Sequence, residues 1–258
     1  MVGYSAFDRN FGLDGKTAVI TGGAKGIGKA ISILYAQKKA NVMILDIADE
    51  EGKKLAEEIT KQYGVSAQFF HTDLTKKAGI QKAIDDVEKI AAIDILVNNA
   101  GVGPLEKAVD LSEEAWDFTM SINTKAVFLC SQIVGRKMIQ RGHGKIVNIA
   151  SQAGVIALDK HIAYCASKAA VISMTKTLAY EWAGYGININ AISPTVVLTE
   201  LGEKAWSGKK GEQMKKMIPN GRFAYPDEVA ALAAFLASDA AAMINGENIL
   251  IDGGYSIY

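Results

Sequence analysis

Short, continuously apolar runs alternate with segments of helical periodicity along almost the whole chain. The apolar runs are Thr17–Ile20, Asn41–Leu45, Ala67–His71, Ile93–Val97, Lys145–Ile149, Ile187–Ile192 and Ile249–Ile251. Runs this short and continuous suit strands of a parallel sheet covered on both faces. Between them lie helix-like segments over Ile27–Lys39, Glu50–Tyr63, Gly79–Ile90, Ser112–Arg141, Ile162–Trp182 and Pro226–Ala237. Repeated strand–helix units require right-handed crossovers. The expected fold is α/β: a doubly wound, seven-stranded parallel sheet of Rossmann type, helices on both faces, strand order 3-2-1-4-5-6-7. No composition break divides residues 1–258, so one domain is expected. Residues 195–225, with several glycines, five lysines and the apolar Trp206, Met214 and Met217, fit neither pattern. A loop this long in a compact domain reads as a lid.

Composition narrows the class. With 258 residues and 49% hydrophobic content the chain can bury a full core. Its 28 basic and 28 acidic residues balance, leaving no electrostatic footprint for nucleic acid or an anionic membrane. Met1 to Asp14 is mixed and carries Asp8 and Arg9, unlike a signal segment. The apolar stretch Val229–Ala237 is too short to span a bilayer. Cys130 and Cys165 stand far apart and outside CxxC spacing, which reads as free thiols in a reducing cytosol. His71, His143 and His161 form no metal-ligand spacing, and no metal is expected. A soluble cytoplasmic protein is the expectation.

Candidate chemistry begins at the first strand. Thr21-Gly22-Gly23-Ala24-Lys25-Gly26-Ile27-Gly28 follows it directly and opens the first long helix. Glycines let backbone amides approach a diphosphate at a helix N-terminus. The spacing is GxxxGxG, so the GxGxxG dinucleotide pattern fails when read literally, and a Gly-rich turn without ligand is the alternative. Asp46 ends the second strand, where a carboxylate accepts hydrogen bonds from ribose hydroxyls and repels a 2′-phosphate. Lys25 argues the other way, as a cation able to meet that phosphate. A fixed carboxylate outweighs a flexible surface lysine, which favours NAD over NADP. Asp73, past the third strand, either caps the following turn or contacts adenine. Asn98-Asn99-Ala100-Gly101 follows the fourth strand, at the sheet end where ligands sit in this fold class.

Tyr164 and Lys168 are four apart in Tyr164-Cys165-Ala166-Ser167-Lys168, inside a helical segment. That spacing stacks them on one face. Lowering a Tyr pKa of about 10 by about three units requires about 4 kcal/mol. One cation at about 4 Å and an effective dielectric of about 20 supplies that much. A Tyr in a core with a Lys at its rim has the same spacing.

In this order, the glycine motif, Asp46, Asn98 to Gly101, Asn123, Ser151 and Tyr164 with Lys168 resemble the short-chain dehydrogenase/reductase family in its single-domain branch. The resemblance runs from Gly15 to Gly254, and Ser151 lies 13 residues before Tyr164, the family spacing. It implies four catalytic residues. Tyr164 is the general base for alcohol oxidation, Lys168 lowers its pKa and holds the nicotinamide ribose, Ser151 bonds the reacting oxygen, and Asn123 holds a relay water. It implies that NAD binds through Gly22, Lys25, Gly26, Ile27 and Gly28, with Asp46, Ile47, Asp73 and Leu74 at the adenosine half. Asn99, Ala100, Gly101, Tyr164, Lys168, Pro194, Val197 and Thr199 then hold the nicotinamide half. The family commonly has Pro-Gly after the sixth strand; here Pro194-Thr195 weakens the carry-over to Val197 and Thr199.

The substrate implied by the resemblance lies among Ser151, Gln152, Gly154, Tyr164, Val102, Leu198 and Trp206. Gln152 reads either as a partner for a second hydroxyl or as a solvated loop residue, and Trp206 as pocket lining or lid packing. His161, one turn before Tyr164, reads as pocket lining or as a solvated helix-start residue. The stretch Ser193 to Trp206 and the run Arg222 to Pro226 are similar to bacterial NAD-dependent polyol dehydrogenases, which implies oxidation of glycerol or a short sugar alcohol to a ketone. The alternatives are a 3-oxoacyl or general carbonyl reductase using NADPH, and a nucleotide-sensing protein without turnover. The resemblance also implies a homotetramer, and it permits a structural divalent ion at the Tyr258 carboxylate.

Overall fold

The computed structural model describes residues 10–257. Tyr258, and with it the C-terminal carboxylate, lies outside the described residues. Seven parallel strands lie in the order β3-β2-β1-β4-β5-β6-β7, as the alternation of strand and helix predicts. The elements are β1 (Thr17–Thr21), α1 (Gly26–Gln37), β2 (Asn41–Asp46), α2 (Asp49–Tyr63), β3 (Ala67–His71), α3 (Lys77–Ile90) and β4 (Ile95–Asn98). There follow α4 (Glu113–Met120), α5 (Val127–Arg141), β5 (Gly144–Ile149), α6 (Ile162–Trp182), β6 (Ile187–Pro194), α7 (Glu200–Ala205), α8 (Gly208–Met217), α9 (Pro226–Ala237) and β7 (Asn248–Ile251).

Alternate strand residues feed opposite faces, because side chains in a strand alternate with period two. Ala18, Ile20, Val42 and Ile44 join the core under α1 and α9, where they meet Ile31 and Val229. Val19, Met43 and Leu45 join the opposite core with Ile84, Val134 and Met138. Tyr35 is fully buried on the first face, and its hydroxyl donates to Ala233 O at 2.9 Å, tying α1 to α9. The register aligns the carboxyl ends of the strands: Thr21 pairs with Leu45 and Asn98, Asn98 with Asn148, and Ile149 with Ile192. Thr21, Asp46, Asn98, Ile149 and Pro194 thus end their strands along one edge of the sheet, which positions everything described below.

Three expectations need correction. The helix expected over Ser112–Arg141 is interrupted by a π-turn at Ser121–Ala126 between α4 and α5. Periodicity does not reveal it, since one surplus residue leaves apolar positions on both flanks. The expected strand Ile93–Val97 begins at Ile95, because the Ile93 backbone is taken by side chains. Its N–H donates to Glu88 Oε1 at 3.0 Å and its carbonyl accepts from Arg141 Nη2 at 2.6 Å. Residues 195–225 hold two helices, α7 and α8, rather than an irregular loop. Thr199 Oγ1 accepts from Gly202 N at 3.0 Å to start α7. Glu200–Lys204 at 3.2 Å and Glu212–Lys215 at 2.8 Å brace α7 and α8 at helical spacing. Met214, Ile218 and Phe223 form a small core of their own beneath these helices. Among the described residues no helix is long and apolar enough to cross a membrane.

Candidate active site

The Gly-rich turn is shaped by contacts that tolerate no side chain. Gly22 and Gly26 have φ of +63° and +53°, a region that favours glycine. A Cβ on Gly28 would stand 2.1 Å from Gly22 O and 2.5 Å from Asn99 Nδ2. Asn99 clamps the turn from the other side, donating from Nδ2 to Thr21 O at 3.1 Å and to Gly22 O at 2.9 Å. Thr21 Oγ1 in return accepts from Asn99 N at 3.0 Å and Ala100 N at 3.2 Å. This role of Thr21 was not singled out in the sequence; its signal is a hydroxyl at the carboxyl end of a central strand.

A cavity of about 650 Å³ opens over this turn. Gly22, Lys25 and Gly26 form its floor, Asp46 and Ile47 one wall, Asp73 and Leu74 the next. Asn99, Ala100, Gly101 and Thr199 close the far side. Ile27, Gly28, Pro194 and Val197 do not line it; Gly28 packs behind the turn, and Val197 bridges to Ala224 in the lid. Phe118, Ile122, Glu200 and Lys204 also line the cavity, though no sequence motif marks them. Phe118 and Ile122 carry helical i,i+4 spacing, and that is the signal available for them.

Asp46 braces the turn as well as facing the cavity. Its Oδ2 accepts from Ala24 N at 3.0 Å, and its Oδ1 from Ile47 N at 2.8 Å and Ala48 N at 3.1 Å. A carboxylate has about four acceptor positions, so Oδ2 keeps room for a further donor such as a ribose hydroxyl. Asp73 caps the following turn and also lines the cavity. Its Oδ1 accepts from Thr75 N at 3.0 Å and from Thr75 Oγ1 at 2.6 Å, while the residue lines the cavity. Those bonds and Lys76 at 2.9 Å pull its carboxyl down to about 2. Cavity size, the glycine floor and the free acceptor on Asp46 fit a dinucleotide.

The second group of residues adjoins this cavity through Gly101. A Cβ there would come 3.4 Å from Asn123 Oδ1 and 3.5 Å from Lys168 Nζ. Gly103 lies over the phenol ring, its ideal Cβ 3.1 Å from Tyr164 Cδ2. Lys168 is buried and donates to Ile149 O at 2.7 Å, its Nζ 5.6 Å from the Tyr164 ring centroid. Ser151 Oγ accepts from Ala153 N at 3.1 Å, starting the 3-10 turn Gln152–Gly154. Asn123 sits in the π-turn and is fully buried. Its Oδ1 accepts from Val102 N at 2.8 Å, and its Nδ2 donates to Val102 O at 2.8 Å and Ser167 Oγ at 3.0 Å. The amide thus fastens the loop after Gly101 to the helix carrying Tyr164 and Lys168. A surface position on a regular helix is excluded.

Electrostatics here run opposite to the sequence expectation. Burial pushes the Tyr164 phenol up, against a weaker downward pull from its hydrogen bond with Ser151. Burial also lowers the Lys168 ammonium to about 8. The physical reason is shared: Lys168 is buried and Tyr164 is half-buried, and removal from water disfavours ammonium and phenolate alike. For Lys168 this has a thermodynamic sign. Below pH 8 the lysine is charged in folded and unfolded chains, and its burial costs stability. Between pH 8 and 10 the folded protein has released the proton and the unfolded chain has not, so stability rises with pH. Above pH 10 unfolded tyrosine ionises before Tyr164, and the trend reverses. Urea unfolding between pH 7 and 10 is expected to show wild type gaining on Lys168→Met, by on the order of 3 kcal/mol at most. Parallel pH profiles for the two proteins would show that the ammonium is solvated.

The substrate residues divide. Gln152 is buried, not a solvated loop residue, and its Oε1 has no hydrogen-bond partner. Thr195 Oγ1, at the end of β6, is also buried and unpartnered. Trp206 and Leu198 pack into the core of the lid. The Trp206 ring lies 6.1 Å from Phe223, with Lys210 Nζ 4.4 Å above it. Lid packing is the contact the structure shows for Trp206. Gly154 abuts the Lys168 backbone, where a Cβ would come within 2.8 Å. His161 stands at the start of α6 with its ring edge-on to Tyr164 at 6.1 Å.

Known proteins are similar to this chain in sequence and fold. The family described as Enoyl-(Acyl carrier protein) reductase matches residues 22–256. An NAD-dependent glycerol dehydrogenase of Listeria innocua is 58% identical over 255 residues, covering 98% of this chain and 99% of the relative. A D-threitol dehydrogenase of Mycolicibacterium smegmatis is 53% identical, covering 97% of this chain and 96% of its own. The crystal structure of a gluconate 5-dehydrogenase from Burkholderia cenocepacia, in complex with NADP and tartrate, matches with a TM-score of 0.92 at 36% identity. That match covers 96% of this chain and 98% of the other.

Proposed function

The chain belongs to the short-chain dehydrogenase/reductase family, and from that premise we propose that it is an NAD-dependent polyol dehydrogenase. It oxidises a secondary hydroxyl of glycerol or a short sugar alcohol to the ketone. The observation that carries the reading is Asp46, a carboxylate with a free acceptor position on the wall of the nucleotide cavity, in a chain 58% and 53% identical to glycerol and threitol dehydrogenases. Gln152 Oε1 and Thr195 Oγ1 add to it. Two buried, unpartnered polar atoms just beyond the ends of adjacent strands suit a ligand with several hydroxyls.

Bound NAD supplies the acceptor for the hydride that leaves the carbinol carbon. Everything else falls to the chain. Tyr164 takes the hydroxyl proton, and Ser151 Oγ donates to the same oxygen as charge gathers on it. Lys168, held by Ile149 O at 2.7 Å, bonds the nicotinamide ribose and biases Tyr164 toward phenolate once that ribose is engaged. Asn123 keeps the Val102 loop and α6 at fixed separation around the ammonium. Gly22, Gly26 and the α1 N-terminus receive the diphosphate, while Asp46, Ile47, Asp73 and Leu74 receive the adenosine end. Thr199, on the far side of the cavity, carries the nicotinamide side. The lid of α7 and α8 covers the substrate.

Cytoplasmic residence suits Cys130, buried, and Cys165, half-buried, both free. A homotetramer suits the exposed apolar side chains on the outer helices and at the β7 end, among them Phe128, Tyr180, Leu250 and Ile257. The reductase alternative needs a 2′-phosphate beside Asp46, where Lys25 is already bonded to Glu51 at 2.7 Å.

A polyol panel read by NADH absorbance tests the reading. The expected result is NAD⁺-dependent turnover of glycerol or a tetritol, with kcat/KM at least about tenfold above that with NADP⁺. Oxidation of NADPH by an oxoacyl thioester, with no polyol reducing NAD⁺, would overturn it.

A further inference from the structure

Lys25 stands between two spaces. It lines the nucleotide cavity together with Asp46 and Ile47. It also lines an outer groove of about 540 Å³ with Lys29, Glu51, Lys54 and Glu200. Glu51 belongs to the groove side, on the first turn of α2. The Lys25 ammonium meets Glu51 Oε1 at 2.7 Å, which draws it into the groove. Asp46 and Glu200 add to the negative field around the same cation, whose proton is held more tightly as a result.

A lysine at this point of the turn is the group a 2′-phosphate on the adenosine ribose would seek. Asp46 supplies repulsion at the ribose but does nothing to occupy the cation. We infer that Glu51 is a specificity-determining residue for the cofactor: by bonding Lys25 it removes the one charge in the turn that would reward NADP. The inference rests on the reading of NAD as cofactor and adds a second element of discrimination to Asp46. The mechanism is a difference of affinities achieved by pre-empting a favourable contact. An exposed ion pair of this kind is worth up to about fivefold in an equilibrium constant, so its loss should be felt at that scale. Asp46 stays in place in the variant, and NAD remains the preferred nucleotide.

A double-mutant cycle separates this role from simple repulsion. Calorimetric titration of NAD⁺ and NADP⁺ into wild type, Glu51→Gln, Lys25→Ala and the double variant gives every term. Glu51→Gln is expected to tighten NADP⁺ binding about fivefold, with NAD⁺ affinity within about twofold of wild type, which also reports an intact fold. In the Lys25→Ala background the same substitution should leave NADP⁺ affinity within about twofold. Unchanged NADP⁺ affinity in Glu51→Gln overturns the inference. So does an equal gain in both backgrounds, which would make Glu51 a direct repulsive charge acting without Lys25. Wild-type protein that binds NADP⁺ more tightly than NAD⁺ would instead overturn the cofactor reading itself.

Discussion

Tyr164→Phe is expected to lower kcat for polyol oxidation by about 10³-fold while NAD⁺ binding stays within a few-fold of wild type. Loss of one positioned acid–base group costs about 10² to 10⁴ in rate, or about 4 kcal/mol of barrier for 10³. The substitution deletes the hydroxyl and nothing else. The ring keeps its place beneath Gly103, edge-on to His161 and 5.6 Å from Lys168 Nζ. Nucleotide affinity should hold because the cavity wall is built from other residues. Single-turnover NADH formation, compared with calorimetric NAD⁺ binding, separates the two effects. A variant keeping a tenth or more of wild-type kcat would remove Tyr164 from the proton-transfer role. The burial that raises its pKa sharpens the point. A phenol this reluctant to ionise needs a partner to work near neutrality, and Lys168 is buried on the same helical face to provide it.

Gly28→Ala should be nearly as damaging for an unrelated reason. Its methyl would enter 2.1 Å from Gly22 O and 2.5 Å from Asn99 Nδ2, and the first of these is backbone locked between β1 and the Asn99 clamp. Nothing flexible is available to yield. The expected result is a loss of about 3 kcal/mol or more in stability. Whatever protein folds should bind NAD⁺ about 100-fold more weakly, because the turn must open to admit the methyl. Gly184→Ala is the control. A Cβ there meets nothing within 4 Å, and the variant should unfold within about 1 kcal/mol of wild type. Denaturant unfolding of both, with NAD⁺ titration, decides the matter. Wild-type stability and affinity in Gly28→Ala would show that the turn adapts and is no rigid cradle.

Much of this architecture is legible in the chain because parallel strands buried on both faces leave continuous apolar runs. Asn41–Leu45 and Ile187–Ile192 are found within a residue or two of their observed limits. Asp46, Asn99 and Gly101 are legible for a related reason: they end or follow strands whose register can be inferred, so their common edge follows. What resists reading is whatever depends on packing at a distance. Ile93 falls outside its strand because Arg141, 48 residues away, takes its carbonyl. The lid looks irregular because its glycines and lysines mask two helices held by local ion pairs and a small core. The Tyr164–Lys168 pair is located by spacing alone, but the direction of its pKa shifts is not. Spacing reports proximity, whereas burial by Gly101, Gly103 and the Ile149 carbonyl is a tertiary fact. Thr21 opens the glycine motif without being one of its glycines, and Glu51 lies outside it; each matters through a partner the motifs do mark.

The π-turn at Ser121–Ala126 also changes how insertions and deletions can be tolerated in this fold. An α-helix advances about 100° per residue, so one extra residue rotates everything on one side of it by that angle relative to the other. The two halves of the long segment can then serve different masters. Phe118, before the π-turn, looks into the nucleotide cavity, whereas Val134 and Met138, after it, lie in the core beneath the sheet. Deleting a single residue between Ser121 and Ala126 would restore an unbroken α-helix and leave the composition almost untouched. It would also swing Phe118 off the cavity or α5 off the sheet, because one rigid rod cannot satisfy both phases. The surplus residue acts as a phase shifter, and Asn123 lies within it, wired to the loop on one side and to α6 on the other.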